Sequence, residues 1–316
     1  MDKSRAIDDK SDNISQAETS LAAGGRMQNF QGKTAFITGA GSGIGLGMAR
    51  TFARNGMNIV LCDIRRDALD DALAQVNKLG AQAIAIEVDT SVRASIDAAT
   101  QQAIDAFGKV HILCNNAGIS MHGVPIEKLP VRDWEWVMGV NINGVIHGFQ
   151  NFIPHMRDHG EECHIVNTAS IGGFRIQPGW DTGPYSMTKY AVVALSEALE
   201  QDLDGSNIGV SVLCPAAVKT GIFLSGRARP DRMGGSFKRQ ESEQFSHLLN
   251  EGFEPDVVGR RVLRAIRKGE FFIFTHLWPR ELIQARHDRV LRAFDDTQAW
   301  MDEEGIVNEE QAPKQS

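Results

Sequence analysis

The chain alternates short, almost wholly apolar runs with stretches of helical spacing, and this alternation restricts its fold more than any other feature. The seven runs are residues 33–38, 57–63, 81–89, 110–115, 163–170, 207–215 and 270–276. In the stretches between them apolar residues recur three or four positions apart, as in Ile44, Met48 and Phe52. Strands that are apolar on both faces are typical of parallel sheets covered by helices on each side. The pattern predicts an α/β fold built on a single doubly wound parallel sheet.

Composition separates this core from both ends of the chain. Residues 1–27 are polar, mixed in charge and without an apolar signal region, which predicts a disordered N-terminal arm. Residues 295–316 hold seven acids and one base, a net charge of −6 in a chain of −7, and we expect an acidic C-terminal tail. Residues 28–294 show neither a repeat nor a linker, so we expect one domain there. Within it, residues 216–250 have little periodicity, which is typical of a functional or mobile loop.

Charge and cysteine usage exclude several classes of partner. No broad basic surface is available for a phosphate backbone, so we expect no nucleic acid partner. No apolar run approaches the roughly 18 residues of a membrane span, so we expect no membrane insertion. The four cysteines form no CxxC pair, and we interpret them as buried, reduced residues of a cytoplasmic protein. They are Cys62, Cys114, Cys163 and Cys214.

The segment HGEECH at residues 159–164 has the residue types of a metal site. It runs from the end of a predicted helix into a predicted strand, so its side chains should diverge. We therefore expect no metal ligation here and interpret the segment as a solvated helix end.

A glycine-rich turn, TGAGSGIG at residues 38–45, joins the first predicted strand to the first predicted helix. Glycines let the backbone approach a ligand closely, and the free N–H groups of a helix N-terminus attract a diphosphate. This context predicts a Rossmann-type dinucleotide site. The turn residues expected to bind the cofactor are Gly39, Ser42, Gly43, Ile44 and Gly45.

The second predicted strand ends at Asp63, about 20 residues after the glycines. A carboxylate at this point can accept both hydroxyls of an adenosine ribose and repel a 2′-phosphate, which favours NAD. Arg65 and Arg66 follow immediately and could attract that phosphate. NADP therefore stays open as the less favoured cofactor.

Five segments occur in the order and layout of one known family. They are TGAGSGIG (38–45), NNAG (115–118), VNING (140–144), Ser170 and YSMTK (185–189). On these motifs the chain resembles the short-chain dehydrogenases/reductases, from about residue 30 to residue 224. The resemblance implies an oxidoreductase whose catalytic domain is residues 28–294.

Both tyrosines of the chain, Tyr185 and Tyr190, fall within the eleven residues GPYSMTKYAVV. Tyr185 and Lys189 are four positions apart and share a helix face. A free tyrosine has a pKa near 10, and a nearby ammonium favours the phenolate. We therefore expect Tyr185 to exchange a proton with a substrate oxygen and Tyr190 to pack as scaffold.

The resemblance implies roles for further residues. Ser170 would polarise the substrate oxygen, Lys189 would also hold the nicotinamide ribose, and Asn141 would support a water-based proton relay. Other implied cofactor contacts are Asp89, Asn115, Ala117, Gly118, Pro215, Val218 and Thr220. The family also implies a homodimer or homotetramer, because the helix that begins near Trp134 and Trp136 usually packs against a partner subunit.

These observations predict an NAD-dependent enzyme that interconverts a hydrophobic secondary alcohol and a ketone. The expected pocket residues are Met121, Phe174, Trp180, Met187 and Phe223. The details GVNINGVIHG, SIGGF and GPYS are similar to bacterial dehydrogenases that oxidise the benzylic (Cα) alcohol of aryl ethers, while steroid-like and alicyclic alcohols stay open. The alternatives are a non-catalytic cofactor-binding or regulatory protein and an NADP-dependent ketone reductase.

The irregular stretch 216–250 follows the strand that ends at Pro215, so we expect it to act as a substrate lid. Phe223 and Leu224 could close over an apolar substrate. Its basic residues are expected to face water or a substrate carboxylate; they are Arg227, Arg229, Arg232, Lys238 and Arg239.

Overall fold

Seven parallel strands form one sheet in the computed structural model, which describes residues 27–237 and 251–306. The strands are β1 (Thr34–Thr38), β2 (Asn58–Asp63), β3 (Ala83–Glu87), β4 (Ile112–Asn115), β5 (Cys163–Thr168), β6 (Ile208–Cys214) and β7 (Phe272–Phe274). Their order in the sheet is β3-β2-β1-β4-β5-β6-β7. The predicted fold class is confirmed, and each strand lies within one of the apolar runs of the sequence.

The order in which the chain adds strands to the sheet reverses between β1 and β4. Going outward from β1, the chain adds β2 and β3 on one side and β4 to β7 on the other. β1 pairs with β4 through Ile37 and Cys114, and with β2 through Ile37 and Leu61. In such sheets a crevice opens at the carboxyl ends of the strands on either side of the reversal. The fold therefore places a ligand crevice beside the residues that follow β1 and β4.

Eight α-helices connect or follow these strands within the described residues. They are α1 (Gly43–Ala53), α2 (Arg66–Asn77), α3 (Arg93–Phe107), α4 (Val131–Met138), α5 (Gly144–His159), α6 (Gly183–Asp202), α7 (Pro255–Lys268) and α8 (Pro279–Glu303). A π-helical turn, Gly139–Asn143, joins α4 to α5. None of the described helices is both long and apolar enough to cross a bilayer.

Apolar layers cover both faces of the sheet. On one face Met48 and Phe52 of α1 lie with Leu69 of α2 and Val262 of α7. On the other face the rings of Phe36 and Phe152 lie 4.7 Å apart. This two-sided burial explains why β5 and β6 are buried at every position. The four cysteines are buried and unpaired, as their apolar neighbours predicted.

Met27 is fully buried in the first of these layers. The sequence had placed it at the end of the N-terminal arm, residues 1–27, because the polar composition before it offered no apolar pattern. Its thioether side chain instead fills the core together with Phe30, so the domain begins at Met27 at the latest. The rest of the predicted arm, residues 1–26, lies outside the described residues.

The chain divides into two compact units, one ending at Thr275 and one beginning at His276. Helix α8 belongs to the second unit and runs through residue 294, where the sequence had placed the boundary between domain and acidic tail. The helix continues because apolar residues keep their helical spacing as far as Met301. The first acids of the predicted tail are therefore helical, and residues 307–316 lie outside the described residues.

The described part of the predicted lid has more regular structure than its sequence indicated. Two 3-10 helices, Ile222–Ala228 and Asp231–Met233, follow β6. Val218 forms a parallel bridge with Phe253. Periodicity could not reveal these elements because 3-10 turns of this length leave no repeating apolar pattern. Residues 238–250, which include Lys238 and Arg239, lie outside the described residues.

Candidate active site

Ser170 and Tyr185 meet at the carboxyl end of the sheet. Ser170 follows β5 in an extended conformation (φ −173°), and its Oγ accepts a hydrogen bond of 3.0 Å from the Gly172 backbone N–H. Tyr185 lies in the first turn of α6, where Pro184 occupies one of the first helical positions. The Tyr185 hydroxyl is hydrogen-bonded to the Ser170 side chain. The two residues predicted to contact the substrate oxygen are thus adjacent.

Burial controls the protonation of the Tyr185–Lys189 pair. It raises the pKa of Tyr185 above its ordinary value, and the hydrogen bond from Ser170 opposes this only in part. Burial also lowers the pKa of Lys189 to about 8. The sequence had predicted that the ammonium would favour the phenolate. That expectation needs correction for the protein alone, because desolvation disfavours the charged form of both groups.

Lys189 is buried beside Tyr185, as their spacing predicted. Its Nζ lies 5.6 Å from the centre of the Tyr185 ring and donates a hydrogen bond of 2.8 Å to the Thr168 carbonyl oxygen. A Cβ on Gly118 would lie 3.4 Å from this Nζ and 3.5 Å from Asn141 Oδ1. The backbone at Gly118, in the loop after β4, therefore passes directly beside the side chains of Lys189 and Asn141.

Asn141 lies in the π-helical turn between α4 and α5 and is buried. Its Oδ1 accepts a 2.9 Å hydrogen bond from the Ile119 N–H, and its Nδ2 donates to the Ile119 carbonyl at 3.0 Å. The same Nδ2 donates to Thr188 Oγ1 at 2.9 Å. The amide thus ties the loop after β4 to the catalytic helix next to Lys189. A role in a water relay stays a prediction.

The glycine-rich turn forms a cradle that side chains would fill. Gly39 and Gly43 have φ values of +65° and +54°, which disfavour a Cβ. A Cβ on Gly45 would lie 2.3 Å from the Gly39 carbonyl oxygen. Ser42 is the N-cap of α1, yet its side chain makes no capping hydrogen bond among the described residues. The first N–H groups of α1 are therefore open to an anion, and the turn fits the diphosphate of a dinucleotide.

Asp63 lies beside this turn at the end of β2. Its Oδ2 accepts a 3.0 Å hydrogen bond from the Gly41 N–H, and its Oδ1 accepts one of 3.0 Å from the Arg65 N–H. Each carboxylate oxygen retains a further lone pair for a ribose hydroxyl. The Arg66 guanidinium pairs with Asp70 at 3.0 Å, whereas Arg65 is 3.9 Å from Asp67. The carboxylate can therefore accept hydrogen bonds from the hydroxyls of a bound ribose.

The other predicted cofactor contacts differ in how close they lie to the glycine-rich turn and in whether their polar atoms already have partners. Thr220 lies against the turn, since a Cβ on Gly43 would be 3.0 Å from its Cγ2. The Pro215 carbonyl accepts a 3.1 Å hydrogen bond from the Ile171 N–H, and Val218 is buried. Asp89 already accepts hydrogen bonds from Ser91 and forms a 2.5 Å ion pair with Arg232. An adenine contact of Asp89 stays a prediction.

Asn115 points away from the crevice. Its Nδ2 donates to Asn167 Oδ1 at 2.9 Å, and a Cβ on Gly148 of α5 would lie 2.0 Å from its Oδ1. Its side chain is thus a buried contact between β4, β5 and α5, and a contact of Asn115 with the cofactor stays a prediction. The motif could not show the buried contact, because the direction of a side chain at a strand end depends on the register of the sheet.

Three of the five expected pocket residues gather around the loop after β4. Met121 packs in one apolar cluster with Tyr185 and Trp136. Phe223 lies edge-on to His122 with ring centres 5.0 Å apart. The Trp180 carbonyl accepts a 3.4 Å hydrogen bond from the Gly123 N–H. These contacts bring Met121, Trp180 and Phe223 to the loop after β4, and their role in binding a substrate stays a prediction.

The other two expected pocket residues lie elsewhere. Phe174 packs against β7, with ring centres 5.9 Å from Phe272 and 5.4 Å from Phe274. Met187 is 38% exposed. It is two residues from Tyr185, which corresponds to about 200° around the helix. The helix therefore directs Met187 away from the catalytic hydroxyl, and the sequence pattern had counted only its apolar character.

Two arginines of the predicted lid are held by carboxylates. Arg229 forms an ion pair of 2.6 Å with Asp133 of α4, and its guanidinium lies 5.0 Å from the centre of the Trp136 ring. Arg232 pairs with Asp89. The expectation that these residues face water or a substrate carboxylate is wrong for Arg229, whose side chain is 5% exposed, whereas the Arg232 side chain stays 44% exposed beside Asp89. No group of three or more metal-ligating side chains occurs among the residues described.

Comparison with known proteins identifies this arrangement. The model of the short chain dehydrogenase family matches residues 33–230. The chain belongs to this family. The C alpha-dehydrogenase of Sphingobium sp. (strain NBRC 103272 / SYK-6) is 35% identical over 269 residues, which cover 84% of this chain and 87% of that protein.

Solved structures agree with this assignment. A short chain dehydrogenase/reductase from Burkholderia phymatum in complex with NAD is 37% identical, with a TM-score of 0.80 over 84% of this chain and 97% of that chain. The apo form of LigO from Sphingobium sp. strain SYK-6 is 35% identical, with a TM-score of 0.72 over 90% of this chain and 99% of that chain. The resemblance stated from the motifs is confirmed, and the chain is a short-chain dehydrogenase.

Two residues of this dehydrogenase site were missed from its sequence. Asn116 Nδ2 donates to the Thr38 carbonyl at 3.0 Å, and its Oδ1 accepts from Thr168 Oγ1 at 3.3 Å. It thereby fixes the glycine-rich turn to β5, and its place in NNAG could have indicated this. His122 is buried next to Phe223, with Nδ1 3.2 Å from Ser120 Oγ. A lone histidine in a loop offers no pattern that would have found it.

Proposed function

We propose that this dehydrogenase interconverts a hydrophobic secondary alcohol and its ketone with NAD. The observation that supports this most is the hydrogen bond between Ser170 and Tyr185 beside buried Lys189. These groups lie in the crevice that also contains the glycine cradle. A non-catalytic regulatory protein would have no need of a buried lysine beside a buried tyrosine, since burying a cation costs free energy.

The proposed reaction uses each side chain at a stated atom. When bound, the nicotinamide ring accepts hydride from the alcohol carbon or returns it to the ketone. The Ser170 and Tyr185 hydroxyls bind the substrate oxygen between them. During oxidation the Tyr185 oxygen takes the alcohol proton, and during reduction it donates that proton back. The ammonium of Lys189 stabilises the phenolate while it is charged.

NAD is the proposed cofactor because of Asp63. Both of its oxygens are fixed by backbone N–H groups, so the carboxylate is held in place for two ribose hydroxyls. Arg66 pairs with Asp70 on its own helix, which reduces its availability for a 2′-phosphate. The similar Burkholderia phymatum structure contains NAD. An NADP-dependent ketone reductase is the second candidate, since Arg65 adjoins the same carboxylate.

The proposed substrate is hydrophobic, with aryl alcohols as the first candidates. Met121, Trp180 and Phe223 surround the loop beside Tyr185, which provides apolar and aromatic contacts. The similar Sphingobium protein is named a C alpha-dehydrogenase. Steroid-like and alicyclic alcohols fit the same apolar character. His122, buried next to Phe223, would add one polar contact to this pocket.

Residues 216–237 are the proposed cover of the site. Ser225 Oγ accepts a 3.2 Å hydrogen bond from the Ser120 N–H, and Arg229 and Arg232 bind Asp133 and Asp89. The segment is thus held to the loop after β4, to α4 and to the turn after β3. We propose that this cover excludes water during hydride transfer.

The proposed setting of the enzyme is the cytoplasm, with a homodimer or homotetramer as its assembly. The cysteine thiols support a reducing compartment. Burial raises the pKa of Cys114 and of Cys214 well above the ordinary thiol value, which keeps both as unreactive thiols.

A direct assay tests the proposed function. The wild-type protein is incubated with NAD or NADP and a panel of aryl, alicyclic and steroid-like secondary alcohols, and the reduced cofactor is followed by absorbance. We expect turnover with NAD that is fastest for aryl alcohols, and no turnover by Tyr185→Phe. Binding of NAD without turnover of any alcohol or matching ketone would favour the non-catalytic alternative.

A further inference from the structure

Helix α8 carries its large apolar side chains on one half, which also holds Arg286 and His287 and is exposed from Val290 to Trp300. Its large apolar side chains are Leu282, Ile283, Val290, Leu291, Phe294, Trp300 and Met301. At about 100° per residue they fall on one half of the helix, whereas Asp288, Arg292 and Asp295 fall on the other half. Leu291 is 59% exposed, Phe294 69% and Trp300 51%. An exposed apolar stripe of this extent marks an interaction surface.

Charge is distributed unequally along the same helix. Residues 280–292 contain four arginines and two acids, whereas residues 295–304 contain five acids and neither lysine nor arginine. One half of α8 is therefore basic and the other acidic. A second copy of α8 complements both halves when it lies antiparallel, because each basic half then faces an acidic half. A parallel copy would place like charges side by side.

Two pairs of large apolar residues are also symmetric about Arg292, which lies near the centre of the helix. Ile283 and Met301 are each nine residues from Arg292, and Val290 and Phe294 are each two residues from it. A two-fold axis beside Arg292 would therefore place Ile283 against Met301 of the second copy. It would likewise place Val290 against Phe294 of that copy, whereas Leu291 would meet Ala293 and Trp300 would meet Gln284.

We propose that α8 pairs antiparallel with α8 of a second copy of this chain, about a two-fold axis beside Arg292. A two-fold interface uses the same patch on both copies, which the two symmetric pairs and the opposed charges of α8 allow. The helix spans about 37 Å, so the contact would extend over several turns. It lies beyond residues 33–230, which match the family model, and the pairing is independent of the proposed reaction.

Cysteine crosslinking of the full-length protein tests the geometry. The native cysteines are buried, so an introduced thiol is the reactive one. Leu291→Cys lies next to the axis and is expected to form a disulfide-linked dimer under mild oxidation. Ile283→Cys is expected not to crosslink to itself, because the two copies of this residue would be about 27 Å apart along the helices. A mixture of Ile283→Cys and Met301→Cys proteins is expected to form the mixed dimer.

Ala299→Cys on the polar side is the matched control and is expected to stay monomeric on a denaturing gel. Equal crosslinking of Ala299→Cys and Leu291→Cys would overturn the proposal. Self-crosslinking of Ile283→Cys would indicate a parallel pair and would overturn it too. If Leu291→Cys formed no dimer, a second copy would not cover this side, and the proposal would be overturned. Binding of the wild-type protein to phosphatidylcholine vesicles would then identify a membrane surface as the partner.

A charge exchange tests the same pairing without cysteines. Arg289 and Asp296 lie three residues before and four residues after Arg292, on the same flank of the stripe. The variants Arg289→Glu and Asp296→Lys should each fail to pair through α8. Light scattering should then give a smaller molar mass for either variant than for the wild-type protein. An equimolar mixture of the two proteins should restore the pairing, because every opposed pair then has opposite charges. Failure of the mixture to associate, with turnover and circular dichroism unchanged, would overturn the antiparallel register.

Discussion

Arg229 and Asp133 form a buried ion pair, with Nη2 2.6 Å from Oδ1 and side-chain exposures of 5% and 12%. The pair joins the segment after β6 to helix α4, and the guanidinium also lies over the rings of Trp136 and Phe237. Breaking a buried pair by removing one partner leaves an uncompensated charge, at a cost of about 3–5 kcal/mol. Of the three contacts that hold the cover, this pair is the buried one, so its loss should affect the cover most.

Arg229→Met should therefore loosen the cover. Asp133 would be left buried without its cation, so residues 221–237 should exchange amide hydrogens faster and be cut by trypsin sooner at Arg227 and Arg232. We expect KM for the alcohol to rise. Hydrogen exchange measured by mass spectrometry checks this. Lys219→Gln is the matched control, because its 2.6 Å pair with Glu254 is exposed and worth about 0–1 kcal/mol. Equal exchange in both variants would contradict the prediction.

Tyr185→Phe should abolish turnover and leave NAD binding intact. The substitution removes only the hydroxyl that is bonded to Ser170, and a general acid or base accounts for about 10²–10⁴-fold in rate. Steady-state kcat and a fluorescence titration of the reduced cofactor measure the two properties. Tyr190→Phe, at the other tyrosine of α6, is the control and should keep wild-type kcat. Residual activity of Tyr185→Phe above a tenth of wild type would refute the assignment.

Alcohol oxidation should accelerate as pH rises. Burial raises the pKa of Tyr185, so the phenolate needed to take the alcohol proton is scarce at neutral pH and increases with alkalinity. The value of kcat/KM for oxidation should rise about tenfold per pH unit on the acid side of this pKa. Ketone reduction, which needs the protonated hydroxyl, should change little over the same range. An oxidation rate that is independent of pH would argue for a different base.

Asp63→Ala should reduce kcat/KM for NAD and should also reduce the ratio of kcat/KM for NAD to kcat/KM for NADP. The variant loses the acceptor for the ribose hydroxyls and the charge that repels a 2′-phosphate. One lost charged hydrogen bond corresponds to about 1.5–3 kcal/mol, or roughly ten- to hundred-fold in kcat/KM. Asp67→Ala on the same segment is the control. If the wild-type enzyme preferred NADP, this prediction would be wrong, and Arg65 would be the candidate residue for binding the 2′-phosphate.

His111 should make the fold sensitive to mild acid. Burial lowers its pKa from 6.5 to about 4, its Nδ1 accepts a 3.1 Å hydrogen bond from the Thr34 N–H, and its Nε2 lies 3.1 Å from Glu161 Oε2. Below pH 6.5 the unfolded chain therefore takes up a proton that the native chain does not. The stability that neutral His111 contributes is complete above pH 6.5 and is lost as pH falls toward 4.

Urea unfolding at several pH values measures this effect. We expect His111→Gln to be less stable at neutral pH and to lose less stability than wild type between pH 6.5 and about 4. His155, whose pKa burial also lowers, should contribute in the same direction. His287→Gln on exposed α8 is the control. Parallel pH curves for wild type and His111→Gln would contradict the assigned cause.

Local patterns in the sequence determined the parallel sheet, the glycine turn after β1 and the shared face of Tyr185 and Lys189. Each of these follows from residues that are close in the chain, because strand alternation, turn chemistry and the helical repeat are local properties. The two symmetric pairs of α8 are of the same kind. The strand order, and with it the position of the crevice, became known only from the pairing of the strands.

Only the tertiary structure decided which distant groups meet. Asn115 and Asn116 are neighbours in one motif, yet one is buried against Asn167 and the other fixes the glycine turn. The sequence predicted that Arg229 faces water or a substrate carboxylate, whereas the fold buries it against Asp133. The pKa of Tyr185 rises because the fold removes water from it, a cost that no spacing of residues reveals. These properties depend on burial and on contacts between segments far apart in the chain, which exist only after folding.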